Sequence, residues 1–127
     1  KVFNEETKEK EDAIKQIRFW SLSDILIITL KRFSNTGKKN NINVDFPIDD
    51  FDLTKFSIGH NKDSYKYELY GICNHMGGVL GGHYTSYVKN SNNKWYHFND
   101  QSVDEIDESK IKSEKAYCFF YRKKIIK

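Results

Sequence analysis

Two aromatic-rich runs, residues 83–89 and 94–99, flank the polar tetrapeptide Asn-Ser-Asn-Asn at positions 90–93. Aromatic and β-branched side chains favour extended backbone, and asparagine favours the tight turns that join neighbouring strands. Two such runs around so short a polar segment predict an antiparallel β-hairpin. The other apolar runs of the chain are also short, so the fold must be built mainly from strands.

Further strands are predicted where short apolar runs end at turn-forming residues. Residues 65–75 alternate, with Tyr65, Tyr67, Leu69, Gly71 and Cys73 on one face. The other predicted strands are 17–20, a buried strand at 24–32, 44–46 and 116–122. Loops are predicted at 35–43 and at 76–82, which holds four of the seven glycines, and the acidic stretch 103–111 is predicted to hold one helical turn. The sum is a strongly antiparallel β domain with little helix.

Composition excludes several classes of protein. A chain of 127 residues, of which 15% are aromatic, can bury the core of one domain or of part of one, and is too aromatic for disorder. Its longest apolar run, residues 25–30, is far shorter than the roughly 20 residues of a membrane span. We therefore expect no membrane role, and the charged start of the sequence does not resemble a signal peptide.

Charge and cysteine usage narrow the partners further. The net charge is +3, from 21 basic and 18 acidic residues that are interspersed along the chain. This pattern indicates a solvated surface rather than a stripe that binds nucleic acid. The two cysteines form no CxxC pair, so we expect no disulfide framework, no metal site and no cofactor. Such usage is typical of a reducing, intracellular compartment, the cytoplasm or the nucleus.

The predicted hairpin brings a histidine close to polar side chains. One register, with the turn centred in the tetrapeptide, sets His83 opposite Asn99, with Thr85 opposite His97. The other sets His83 opposite Asp100, and opposed Cβ atoms lie about 5 Å apart in either case. An imidazole beside an amide or a carboxylate is the base-and-orienter pair of nucleophilic catalysis. Taken alone, the same pattern is compatible with an ordinary surface hairpin.

The glycines that precede this hairpin suggest a binding groove. Gly77-Gly78 and Gly81-Gly82 allow a backbone to approach a ligand closely, so an extended peptide with small residues could lie there. A phosphate-binding loop is the competing interpretation. It is rejected because neither a helix nor a Lys-Ser/Thr pair follows the glycines.

Several longer motifs resemble a known family. The run GGVLGGHYTSYVKN, followed by KWYHFNDQSV and then AYCFFYRK, resembles the histidine box of the ubiquitin-specific proteases. The upstream run LSDILIITLKRF, followed by VDFPIDDFDL, resembles the strand that precedes this box in the same family. The segments match in order and spacing over residues 14–123, which is most of the chain.

The resemblance implies a fold and an activity. The fold class is α+β, a papain-like cysteine protease fold compared to a right hand, in which this chain is the mostly antiparallel β part that forms the palm and the base of the fingers. The implied activity is hydrolysis of the isopeptide or peptide bond after the C-terminal glycine of ubiquitin. The implied partners are ubiquitin and ubiquitinated proteins, and the oligomeric state is left open.

The resemblance also assigns roles to individual residues. His83 falls at the position of the catalytic general base and Asn99 at that of the third triad member, with Asp100 after it in a supporting role. A set of three further residues falls close to the bound ubiquitin tail: His75, Gly82 and Tyr84. A neutral Asn99 orients the imidazole without adding charge, as the asparagine does in papain-like enzymes.

One part of the family pattern has no counterpart in this sequence. The cysteine box of the thumb, with its nucleophile and an oxyanion-binding asparagine, does not occur in it. We therefore expect residues 1–127 to be the C-terminal part of a catalytic domain and to be inactive alone. Cys73 and Cys118 are predicted to be buried apolar fillers rather than nucleophiles. The alternative hypothesis is a non-catalytic module that binds ubiquitin or another protein.

Overall fold

The computed structural model describes residues 2–6, 9–59 and 64–125. Among the helices it describes, none is long and apolar enough to cross a membrane. His60, for which the sequence suggests no role, lies outside the described residues.

The described chain is built almost entirely from antiparallel strands. The strands are β1 (Val2–Asn4), β2 (Glu9–Glu11), β3 (Ile25–Thr29), β4 (Phe51–Asp52), β5 (Lys66–Gly78), β6 (Gly81–Lys89), β7 (Trp95–Asn99), β8 (Ser102–Ile106) and β9 (Ala116–Lys123), and 3₁₀ helices lie at Thr54–Phe56 and Glu108–Lys110. β1 pairs with β2, and the others form one sheet in the order β3-β9-β5-β6-β7-β8, with β4 paired to β5. The strand pairs are antiparallel, which confirms the predicted architecture.

The hydrophobic core lies on one face of the large sheet, where the central strands β5 and β9 meet. Tyr67 and Leu69 of β5 and Phe119 and Tyr121 of β9 are almost completely buried. Phe46, from the loop before β4, packs its ring 4.6 Å from that of Phe119. Each such side chain contributes about 1.5–3 kcal/mol when it is fully buried. The core therefore fixes β5, which pairs with β6, the strand that carries His83.

Two buried tyrosines attach loops to this core. The Tyr67 hydroxyl donates to the Ser23 carbonyl at 2.5 Å, and the Tyr121 hydroxyl donates to the Pro47 carbonyl at 2.8 Å. A buried tyrosine hydroxyl needs such a partner, because an unpaired one loses its hydration without compensation. The loops before β3 and β4 are thus held against the sheet by its own side chains.

Residues 76–82 are not a loop, which corrects the sequence prediction. β5 and β6 continue to Gly78 and Gly81, which pair with each other, so that only Val79 and Leu80 form the turn. Glycine weakens a strand but does not interrupt its backbone ladder. Gly77 has φ +105°, a conformation that other residues rarely adopt. A glycine-rich run therefore indicated the end of a hairpin rather than a free loop.

A β-bulge in β5 changes which of its residues are buried. β5 carries one extra residue, Tyr70, relative to its partner β9. The predicted alternation is correct as far as Leu69 and then shifts by one position. Ile72 and Asn74 consequently occupy the buried face, and Cys73 is half-buried on the other face.

Other strand predictions are wrong in part. Residues 17–20 contribute only an isolated bridge from Phe19 to Ser57. The strand predicted to be buried at 24–32 is β3, at the edge of the sheet, where Ile25 and Ile27 are 49% and 58% exposed. An apolar run of this length does not distinguish a buried strand from an edge strand.

The remaining segments also differ from expectation. Residues 44–46 form no strand, although Phe46 is buried in the core. The stretch 103–111 holds the predicted helical turn, but strand β8 precedes it. The sequence did not reveal this strand, because all its residues except Ile106 are exposed and its alternation carries little hydrophobic contrast.

Candidate active site

The hairpin formed by β6 and β7 has a register that the sequence did not predict. Tyr87, not Thr85, lies opposite His97, so both registers considered above are wrong. The turn spans residues 91–93, and a 3.0 Å N–H···O bond joins the residues that flank it. Asn93 ends the turn with φ +63°. Three-residue turns that end at positive φ are common in hairpins, and asparagine tolerates this conformation.

His83 and Asn99 are nevertheless in direct contact. His83 Nε2 lies 2.6 Å from Asn99 Oδ1. Extending the observed register by one step sets Asn99 opposite Thr85, so His83 reaches Asn99 along the diagonal of the same sheet face. Because a carboxamide oxygen only accepts hydrogen bonds, Nε2 carries the proton and Nδ1 keeps its lone pair. The lone pair is available to a proton donor, since His83 is exposed.

A tight turn between β7 and β8 holds Asn99 in place. Asn99 pairs with Ser102 across the two intervening residues, and Asp100 adopts φ +51°. Aspartate is one of the few residues other than glycine that tolerate this conformation. In the described part of the chain the exposed Asp100 side chain makes no hydrogen bond to His83. Its supporting role remains a prediction.

A buried polar pair, which the sequence analysis missed, lies beside His83. Asn74 of β5 is fully buried, and its Nδ2 donates to Thr85 Oγ1 at 3.3 Å. Asn74 Oδ1 is buried without a hydrogen-bond partner among the described residues, which costs about 1–3 kcal/mol. Thr85 follows His83 on the same face of β6, so this pair supports the strand that carries His83. The sequence signal for this pair was a polar residue, Asn74, at an alternating position between apolar Ile72 and Met76.

The three residues predicted to bind the tail are also in mutual contact. His75 and Tyr84 are directly paired across β5 and β6, with ring centroids 4.8 Å apart. A Cβ atom on Gly82 would overlap His75 Nε2 and would approach the Met76 carbonyl oxygen at 2.5 Å. Glycine is therefore required at position 82.

These residues lie on the sheet face opposite to His83. Side chains alternate along a strand, and His83 stands between Gly82 and Tyr84 on β6. Met76 is the residue paired with His83, whereas His75 is paired with Tyr84. The two halves of the predicted site thus share one strand segment rather than one face.

His75 is held by a lysine that the sequence analysis did not single out. His75 is 5% exposed, and Lys39 Nζ lies 3.1 Å from its Nδ1 and 3.0 Å from its carbonyl oxygen. Burial, reinforced by the ammonium of Lys39, lowers the pKa of His75 below its usual value. Its ring also packs edge-on against Phe33 at 5.7 Å between centroids. A cavity of about 390 Å³ opens beside Lys39 and His75.

The two cysteines do not lie beside His83. Cys73 of β5 is paired with Cys118 of β9, and both thiols are free. The register places Cys73 on the face of His75, not on that of His83. Burial raises the pKa of the Cys73 thiol, which disfavours the reactive thiolate. Both cysteines are only partly buried, whereas the sequence predicted buried fillers.

The family model and the most similar known sequences point to the same protein family. A model of the family "Ubiquitin carboxyl-terminal hydrolase" matches residues 2–121. Ubiquitin carboxyl-terminal hydrolase 9 of Arabidopsis thaliana is 48% identical over 120 residues, which cover 91% of this chain and 13% of that protein. The human ubiquitin carboxyl-terminal hydrolase 15 is 42% identical over 120 residues, which cover 91% of this chain and 12% of that protein. The chain therefore spans about an eighth of the length of these relatives.

Comparison with solved structures agrees. A chain of the SAGA Ubp8/Sgf11/Sus1/Sgf73 DUB module bound to ubiquitin aldehyde is 31% identical, with a TM-score of 0.80, over 99% of this chain and 30% of that chain. The same module in another structure matches with 31% identity and a TM-score of 0.76, over 94% of this chain and 28% of that chain. The family model alone covers well over half of the residues. With this sheet, this histidine–asparagine pair and these relatives, the chain belongs to the ubiquitin carboxyl-terminal hydrolase family.

Proposed function

We propose that the protein containing this chain is a deubiquitinating thiol protease, in which residues 1–127 form the C-terminal part of the catalytic domain. It hydrolyses the isopeptide or peptide bond after the C-terminal glycine of ubiquitin. The observation that carries this proposal is the 2.6 Å contact between His83 Nε2 and Asn99 Oδ1 in a chain of this family. The related DUB module bound to ubiquitin aldehyde supports ubiquitin as the partner.

The proposed nucleophile comes from a part of the protein outside these residues. Cys73 and Cys118 lie in strands, and Cys73 is on the wrong face with a raised pKa. The 127 residues alone are therefore expected not to cleave ubiquitin. Thiolate chemistry requires reducing conditions, so we place the protein inside the cell, in the cytoplasm or the nucleus.

His83 performs the proton transfers of the proposed reaction. Its Nδ1 takes the proton of the cysteine thiol, and the thiolate forms a bond to the glycine carbonyl carbon. The resulting imidazolium returns that proton to the amine of the leaving lysine as the C–N bond breaks. Water then attacks the thioester, His83 takes a proton from this water, and the cysteine leaves and is reprotonated. Asn99 keeps Nε2 protonated throughout and holds the ring in position.

We propose that the C-terminal tail of ubiquitin lies against the three residues in mutual contact, His75, Gly82 and Tyr84. Gly82 has no side chain, so a second backbone can approach β6 closely at this point. Tyr84 is 56% exposed and offers both a ring face and a hydroxyl. A tail that ends in glycines can approach this point more closely than one with side chains.

The test compares two histidine variants of the full-length protein on ubiquitin–rhodamine. His83→Ala should lower kcat/KM by about a thousandfold or more, because the general base is removed. His97→Ala is the matched control, since His97 lies two positions from Asn99 on the same face of β7 and packs against Tyr87, and it should retain most activity. Turnover of His83→Ala close to that of the wild type would reject the assignment. A wild-type protein that binds ubiquitin without cleaving it would favour the non-catalytic module instead.

A further inference from the structure

A short loop presents Lys39 to the sheet. Phe33 and Lys39 form an isolated antiparallel bridge, and Gly37, with φ +82°, allows the chain to turn between them. The Ser34 N–H donates to the Lys38 carbonyl at 2.9 Å, which closes the loop. The loop thus places an aromatic ring and an ammonium group next to each other.

The Phe33 ring and the Lys39 ammonium group both contact His75. The Phe33 ring contacts the imidazole edge-on, and Lys39 Nζ lies over the Phe33 ring at 6.0 Å from its centroid. Lys39 Nζ also contacts both Nδ1 and the carbonyl oxygen of His75, although 36 positions separate the two residues. Two contacts from one ammonium group fix its position relative to the ring. On the ring's other sides, Tyr84 and Tyr117 lie 4.8 and 5.8 Å away.

The lysine decides which ring nitrogen of His75 carries the proton. An ammonium group donates hydrogen bonds and cannot accept them, so the nitrogen it contacts must be unprotonated. The proton of the neutral imidazole is therefore on Nε2. A second proton on Nδ1 would place two positive charges about 3 Å apart in a buried site, which is unfavourable.

The contact with Lys39 leaves the Nε2–H group of His75 unused. Among the described residues it has no hydrogen-bond partner, and it lies against Gly82, where any other residue would place a Cβ atom. Glycine at this position therefore keeps the donor accessible. A donor beside a residue that has no side chain is suited to a backbone carbonyl of an extended peptide running over this face of the sheet.

We propose that Lys39 is a positioning residue, which holds His75 in the neutral Nε2–H form so that this N–H donates to a backbone carbonyl of the ubiquitin tail at Gly82. The inference rests on the proposed function for the identity of the peptide. The contact between Lys39 and His75 stands independently of it. Lys39 does not touch the substrate, and its effect is transmitted through the tautomer of His75.

The experiment uses the full-length protein with ¹⁵N-labelled histidine and ubiquitin–rhodamine as substrate. Lys39→Met keeps the length of the side chain but removes its donors. We expect the ¹⁵N shifts of His75 to change from a single Nε2–H tautomer to a mixture. We also expect KM to rise about 5- to 10-fold, the loss of one hydrogen bond, with kcat changed less than about twofold.

Two matched variants separate positioning from a general effect on the loop. Lys38→Met removes the exposed neighbour and should alter neither the His75 shifts nor KM. Lys39→Arg keeps a donor and should retain the tautomer, with KM within about threefold of the wild type. If Lys39→Met does not fold, Lys39→Ala, which also removes the donors, takes its place with the same expected changes in the His75 shifts and in KM.

The outcomes that would overturn the inference are specific. An unchanged His75 tautomer in Lys39→Met, or an equal change in Lys38→Met, would show that Lys39 does not set the tautomer. A mixture of His75 tautomers in Lys39→Arg would lead to the same conclusion. Wild-type protein that fails to cleave ubiquitin–rhodamine would reject the proposed function only, because the NMR measurement does not depend on turnover.

Discussion

Two histidines on neighbouring strands carry their proton on the same ring nitrogen, but different partners hold it there. His83 donates from Nε2 to Asn99, which leaves Nδ1 open at an exposed position. His75 accepts at Nδ1 from Lys39, which leaves Nε2–H open at a buried position. An open lone pair suits proton transfer, and an open N–H suits binding. The difference in roles follows from the partner rather than from the residue type.

Removal of Asn99 tests the orienting bond at the residue scale. Asn99→Ala in the full-length protein should lower kcat/KM by about a hundredfold, less than His83→Ala, because a misoriented base still transfers protons. Asn99→Asp keeps an acceptor for Nε2–H and is the matched control, with a much smaller expected loss. The measurement is steady-state cleavage of ubiquitin–rhodamine. Equal losses in Asn99→Ala and Asn99→Asp would contradict the orienting role.

At the scale of elements, β6 joins the two halves of the candidate site. Its alternation directs His83 to one face and the neighbouring Gly82 and Tyr84 to the other. Two hairpins fix this strand, one to β5 through a two-residue turn and one to β7 through a three-residue turn. A change in either turn would therefore shift His83 relative to Asn99 and Met76.

The β6–β7 turn can be tested through Asn93. Because Asn93 has φ +63°, Asn93→Ala should lower the free energy of unfolding by about 1 kcal/mol, whereas Asn93→Gly should leave it unchanged or slightly higher. Ser91→Ala, an exposed change in the same turn, is the control. Urea-induced unfolding of the protein provides the measurement. A stable Asn93→Ala variant would mean that the turn does not require the left-handed conformation.

At the scale of the whole molecule, the core lies on one face of the sheet, and buried tyrosines of the sheet hold loops against this face by hydrogen bonds. The Tyr121 side chain is 1% exposed, packs against Phe51 at 4.8 Å between ring centroids and donates to the Pro47 carbonyl. Burial raises the pKa of Tyr121 from 10.0 to about 12. The folded state therefore holds this proton more tightly than the unfolded state.

This difference predicts instability at alkaline pH. The stabilisation from Tyr121 is complete below pH 10 and is lost as the pH rises from 10 to about 12, by up to about 3 kcal/mol. Tyr121→Phe should reduce the slope of unfolding free energy against pH in this window. At pH 7 the same variant should lose about 1 kcal/mol for the missing hydrogen bond. Identical slopes for the two proteins above pH 10 would refute the assignment of this loss to Tyr121.

Local patterns were sufficient for the β6–β7 hairpin and for the contact between His83 and Asn99. Aromatic alternation around a polar turn placed His83 and Asn99 on adjacent strands, and the final strand was predicted within one residue of β9. The register was not predictable, because two- and three-residue turns are compatible with the same four polar residues. The predicted contact between His83 and Asn99 is correct although the register is wrong, since a shift of two residues keeps both side chains on the same sheet face.

Sequence by itself determined that β5, β6, β7 and β9 are strands and that His83 and Asn99 lie on adjacent strands, because these depend on short local patterns. Only the tertiary structure decided that a bulge at Tyr70 turns Asn74 into the core and that Lys39 sets the proton on His75. The physical reason is distance along the chain: Lys39 and His75 are 36 positions apart, and their contact is created by loop packing that no local periodicity encodes.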